Sequence, residues 1–239
     1  MSKKYVAIIL VAGLIGLFLF PSSPYAGWVQ KDRDGSKTLI SEGKIKTFED
    51  EDSQSWLVLD YAKDRVTLVD GTRKVFATGP IDAYCSAMKS MFQSFETPET
   101  GSGEAGDATA GDVKIVSKGE ETVAGLRAER YAVMVEGELY EEVWITRASE
   151  LMKDLGDFGL HEKLMDCAAE SDDLVERSDA YRKMARKGYA LRSISYEFGE
   201  KEYAVDVVEL RETPVPAAEF DPPGAFRKLT FTEFFKPGM

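Results

Sequence analysis

The chain has 239 residues, 44% of them apolar, which is enough to supply a substantial core. Its 42 acidic side chains outnumber 30 basic ones for a formal charge of −12. A field of that sign repels nucleic acid phosphates and gives no attraction to anionic lipid headgroups, which argues against both as partners held by simple charge.

Lys3 and Lys4, the apolar run Tyr5 to Phe20, and Pro21 to Gly27 have the basic start, hydrophobic middle and small-residue exit of an export signal. The run holds 16 residues, short of the roughly 20 that a spanning helix needs. Cleavage is expected after Ala26, leaving residues 27–239 as one soluble periplasmic or secreted domain with no stable membrane insertion. An uncleaved anchor is the alternative, since Pro24 is unusual so close to a cut. No cysteine lies among Pro21 to Gly27, directly after the run, so lipid attachment at the new N-terminus is not expected. Cleavage would remove Lys3 and Lys4 and no acid, moving the charge from −12 to −14.

Between Thr38 and Thr78 short alternating runs predict an antiparallel meander. The clearest are Lys44 to Phe48, Trp56 to Tyr61, Val66 to Val69 and Lys74 to Phe76, with turn formers Gly43, Lys63-Asp64 and Asp70-Gly71 between them. Gly79-Pro80 opens a helix. Its apolar residues Ile81, Tyr84, Cys85, Met88, Met91, Phe92 and Phe95 recur at helical spacing and should lie across the meander.

Residues 96–111 have the Gly, Ser and acid content of a flexible loop. A second meander is predicted from Val113 to Val116, Glu121 to Val123, Arg130 to Val135 and Leu139 to Ile145, with a hairpin at Glu136-Gly137-Glu138. Residues 148–187 read as a helical insert in two or three pieces, stopped at Gly188. Strands Tyr189 to Phe198 and Lys201 to Arg211 follow. The proline-rich stretch Pro214 to Gly224 should wrap rather than pair, and Leu229 to Phe235 should dock on the sheet. This order predicts an α+β fold: a large curved antiparallel sheet, an incomplete barrel, with helices packed on one face.

The residues offer little chemistry. His161 is the single histidine, and no Gly-x-Ser-x-Gly accompanies it, so hydrolytic triads find no support. Asp32-Arg33-Asp34-Gly35 has the start of a calcium loop, but its twelfth position is Gly43 rather than glutamate, and a turn is the better reading. Gly101-Ser102-Gly103 lacks the lysine of a phosphate cradle. Acidic pairs such as Glu141-Glu142 carry little information in so acidic a chain. The basic cluster Arg177, Arg182, Lys183, Arg186, Lys187 and Arg192 follows Asp172, Asp173 and Glu176, as the helix dipole favours. No catalytic residue, metal or cofactor is assigned, and a non-enzymatic protein is expected. Trp56, Met88, Met91, Phe92, Trp144, Tyr196 and Phe198 are the candidate ligand-binding residues, since Met and aromatics line adaptable apolar cavities as well as ordinary cores. Cys85 and Cys167 are expected to pair in an oxidising compartment, the alternative being two buried thiols on separate helices.

The chain also resembles a family of exported bacterial proteins of unknown function. The likeness rests on Leu57-Val58-Leu59-Asp60 with Val66 to Asp70 and Lys74-Val75-Phe76, on Val123-Ala124-Gly125-Leu126 leading to Tyr131-Ala132-Val133 and Glu142-Val143-Trp144-Ile145, and on Phe220-Asp221-Pro222-Pro223-Gly224. That family is similar to the periplasmic lipoprotein-carrier (LolA/LolB-like) superfamily, whose incomplete antiparallel barrel, lidded by helices, encloses an apolar cavity. The resemblance implies a binding protein for a lipid or a lipoprotein acyl chain, with its cavity expected beneath the helix Ile81 to Phe95. The alternative is an envelope structural or interaction protein with a packed core, no ligand and another envelope protein as its partner.

Overall fold

The computed structural model describes residues 26–48, 53–95, 112–156, 163–164, 167, 174–196 and 200–236. Twelve strands form one sheet: β1 (Ala26–Asp32), β2 (Lys37–Ser41), β3 (Lys44–Phe48), β4 (Ser55–Asp60), β5 (Arg65–Asp70), β6 (Val75–Pro80), β7 (Val113–Val123), β8 (Leu126–Val135), β9 (Glu138–Thr146), β10 (Tyr189–Ser195), β11 (Glu202–Pro214) and β12 (Arg227–Leu229). Their order is β12-β6-β5-β4-β3-β2-β1-β11-β10-β9-β8-β7, antiparallel throughout except where β12 runs parallel to β6. The two meanders are the halves of this open sheet, joined where β1 pairs with β11.

Hairpin chemistry sets the register. Glu42-Gly43, Ala124-Gly125 and Glu136-Gly137 each place two successive residues at positive φ, between 48° and 91°, which matches the strand twist in two-residue turns. That register gathers one apolar row, Trp28, Ile40, Ile45, Leu59 and Val66, each the cross-strand partner of the next. The neighbouring row on the same face is more polar: Gln30, Thr38, Thr47 and Leu57.

Helices cover this face. The helix α1 (Ile81–Phe95) and the short α5 (Phe231–Phe234) close over Leu59, Val66 and Ala77, with Tyr84 edge-on to Phe231 at 5.6 Å. In α2 (Ser149–Leu155), Leu151 and Leu155 pack on Trp28 and Ile40. After α3 (Leu174–Arg177), the helix α4 (Asp179–Ala185) sets Tyr181 and Met184 against Tyr131, Val133, Val143 and Ile145. The opposite face is capped by the chain's late segment, Val215 and Phe220 packing on Leu39 and Val58. The α+β layering read from the element order is the observed one.

Cys85 of α1 and Cys167 of the insert form a disulfide with Cα atoms 5.3 Å apart, within bridging reach. Leu164 packs on the α1 cluster, and Lys163 pairs with Asp64 at 2.7 Å, so the insert is tied at three points to α1 and the first meander. A disulfide suits an oxidising compartment outside the cytoplasm. No described helix is long and apolar enough to cross a membrane.

Several boundaries differ from the sequence expectation. The strands predicted at 113–116 and 121–123 are one strand, β7, carried past Gly119 by a bulge between Ser117 and Glu120. β10 stops at Ser195, and Phe198 lies outside the described residues. Pro214, expected to leave the sheet, still pairs with Ala26 at the end of β11. The export segment before Ala26, the acidic run 49–52, the loop 96–111 and His161 also fall outside the described residues.

Candidate functional site

The sheet and its helices do not meet everywhere. Between α2, α4 and the middle strands lies a cavity of about 690 Å³, within the range that holds drug-sized ligands. Ile45 and Leu59 come from the first meander, Val143 and Ile145 from the second, and Leu155 and Met184 from the helices; together they form the apolar lining. The lining also takes in Gly156, where α2 ends, and Gly188, where α4 gives way to β10.

Gly188 sits at that second junction. The sequence suggests a helix stop, but the structure gives the residue a stricter role: a Cβ there would lie 2.1 Å from the carbonyl oxygen of Thr146. Only glycine lets the chain enter β10 so close to β9.

One wall is polar and built as a relay. Tyr189 Oη donates to Gln30 Oε1 at 2.9 Å, and Gln30 Nε2 donates to Asp32 Oδ2 at 2.7 Å. The Ser36 hydroxyl and the Asp206 amide lean toward the same carboxylate, but its Oδ1, sheltered from solvent, has no hydrogen bond of normal geometry. Burial raises the Asp32 carboxyl above its ordinary range, with neighbouring Asp34 adding to the effect. Burial likewise holds the Tyr189 and Tyr181 phenols well above theirs and pushes Tyr61 up to about 12.

Asp206 is held differently. Arg33 Nε reaches it at 2.5 Å and Arg192 Nε at 2.8 Å, so this buried carboxylate is matched by two guanidiniums. Elsewhere in the lining, Ser193 Oγ donates to Glu141 at 2.5 Å. The mouth is marked by exposed Arg33, Asp34, Tyr203 and Ala204, with the Arg33 guanidinium 5.9 Å from the Tyr203 ring centre. Among the described residues, no group of three or more His, Cys, Asp or Glu is placed to hold a metal ion.

The residues singled out from sequence lie elsewhere. Trp56 is on the opposite face of the sheet, beside Phe48 and under Lys46, whose ammonium is 4.2 Å from its ring. Trp144 also faces away. Arg130 and Arg192 stack on it at 5.0 and 5.5 Å, and its indole donates to Glu121. Tyr196 is on that side too, donating to Glu142 at 2.7 Å. Met88 and Met91 are half-buried on α1, which contributes none of the described cavity lining. The side chains of Phe92 and Phe198 lie outside the described residues. The cavity therefore sits beneath α2 and α4 rather than beneath α1, because α1 and α5 pack fully onto the β5–β6 end of the sheet.

A family model described as "Domain of unknown function (DUF4412)" matches residues 83–226, more than half of the chain. The chain belongs to that family. The DUF4412 match runs from α1 to the turn before β12, so it supplies the second meander, the insert and β10 and β11; β1 to β4, which carry the rest of the lining, precede it. No curated protein matches the chain. Among solved structures, an uncharacterized conserved protein from Thermus thermophilus is similar to it, 12% identical over 86% of this chain and 89% of that one, with a TM-score of 0.41. Neither result names a lipoprotein carrier.

Proposed function

We propose that this protein is a periplasmic, non-enzymatic binding protein that shelters a ligand with an apolar body, such as a lipid or a lipoprotein acyl chain, between its sheet and helices. The observation that carries the reading is the cavity itself. In a space of about 690 Å³ lined by Ile45, Leu59, Val143, Ile145, Leu155 and Met184, an apolar ligand would remove apolar wall from water, which favours its binding. The disulfide and the export-type N-terminus support an extracytoplasmic site of action. The packed-core alternative expects no such space.

The test uses an uncharged, environment-sensitive apolar dye with the purified protein and with Ala190→Trp, which projects an indole into the cavity from β10. Saturable binding to the native chain, lost in a variant of unchanged circular dichroism, is the expected result. No binding, or equal binding to both proteins, would argue against the cavity as a ligand site.

A further inference from the structure

The polar wall says what kind of ligand end the cavity receives. We propose, resting on the binding reading above, that the ligand is an amphiphile whose polar end is a cationic nitrogen carrying N–H donors, received by the carboxylate of Asp32.

The described lining holds five carboxylates, Asp32, Asp34, Glu141, Glu176 and Asp206, and one cation, Arg33. That cation is committed: Arg33 and Arg192 both bind Asp206. Asp32 forms no ion pair among the described residues. Its Oδ2 is oriented by the Tyr189–Gln30 relay, and its Oδ1 is shielded from solvent without a donor of normal geometry. A carboxylate on the cavity wall, held by a fixed relay and with no cation of its own among the described residues, is a preorganised partner for a cationic end.

Its position suits an amphiphile. Asp32 ends β1 next to the exposed pair Arg33 and Asp34, whereas Ile45, Leu59 and Leu155 are half-buried or buried. An alkyl body would lie along these apolar residues and an ammonium at the exposed end, beside Asp32. A fatty carboxylate in the same pose would place its charge beside Asp32 in a medium of reduced dielectric, where like charges repel more than in water. The elevated protonation range of Asp32 has the same origin, since burial and Asp34 both disfavour its anion until a cation arrives.

The experiment measures displacement of the uncharged dye by dodecylammonium, dodecanol and dodecanoate below their aggregation concentrations, using the full folded chain. Dodecylammonium is expected to bind about tenfold or more tighter than dodecanol, the range of a charge-assisted hydrogen bond, and dodecanoate weakest. Asp32→Asn should erase that preference and leave dodecanol within about twofold. Asp112→Asn, which removes the same charge from an exposed site away from the cavity, should change none of the three affinities. Dodecanoate binding as tightly as dodecylammonium would overturn the inference, and so would a preference that survives Asp32→Asn. If that variant fails to fold, the native ranking alone decides. Failure of all three amphiphiles to displace the dye sinks the cavity reading and this inference together. Dodecanol displacing it with no ammonium preference sinks this inference alone.

Discussion

Tyr189 Oη donates to Gln30 Oε1 at 2.9 Å across the join between the two meanders, from β10 to β1. The hydroxyl fixes the Gln30 amide, which in turn aims its nitrogen at Asp32. Gln30 is 4% exposed, so water cannot readily replace the phenol as donor. Tyr189→Phe should therefore destabilise by about 1–3 kcal/mol, the cost of a buried acceptor left unpaired. A urea titration is expected to show a lower midpoint at unchanged slope.

Tyr61 gives a pH dependence of definite sign. Its phenol is pushed up to about 12 by burial, against about 10 in an unfolded chain. The folded state thus holds this proton more tightly. Its contribution is fully present below pH about 10 and is lost as pH rises through about 12. Thermal unfolding followed across that window should show a falling Tm, and Tyr61→Phe should make the fall shallower. An equally steep fall in the variant would assign the effect to other groups.

The Cys85–Cys167 bridge closes a separation of 82 residues. In the chain-entropy model a loop of that length is worth about 4.5 kcal/mol, with native-state strain acting against it. Replacing both cysteines by serine should lower the urea midpoint accordingly. Alkylation of denatured but unreduced protein is expected to label neither cysteine; labelling of both would show that the bridge does not form.

Gly188→Ala should cost more than a surface Gly→Ala change, because the new methyl collides with the Thr146 carbonyl rather than with a movable side chain. A loss of about 1–3 kcal/mol, the range for overpacking, is expected in the same urea assay.

The fold was readable because its strands alternate and its turns carry Gly at the corners. Lys44 to Phe48 and Leu139 to Ile145 have that pattern, and both are strands. Helix α1 was equally plain from its apolar stripe. The candidate site was not readable, for a reason seen in Gln30, Asp32, Thr38 and Thr47. Alternation marks polar residues as solvent-facing, yet these four point inward, onto a cavity. Strand β1, which carries Gln30 and Asp32, has no apolar alternation to announce it. Trp56 and Trp144 show the converse. Large aromatics suggest an interior pocket, but each is covered on the far face of the sheet by a cation, Lys46 over one and Arg130 with Arg192 over the other. The neighbours of Gly188 in sequence suggest a helix stop, whereas its requirement comes from a carbonyl 42 positions away in sequence.

The most direct measurement is native mass spectrometry of the protein exported with its own N-terminal segment and purified without detergent. The expected spectrum contains the mature chain with a discrete adduct that solvent extraction releases as an amphiphile, and Ala190→Trp, with the cavity filled, lacks it. A bare mass for the native protein, together with no saturable uptake of the uncharged dye, would contradict a ligand-binding role for the cavity.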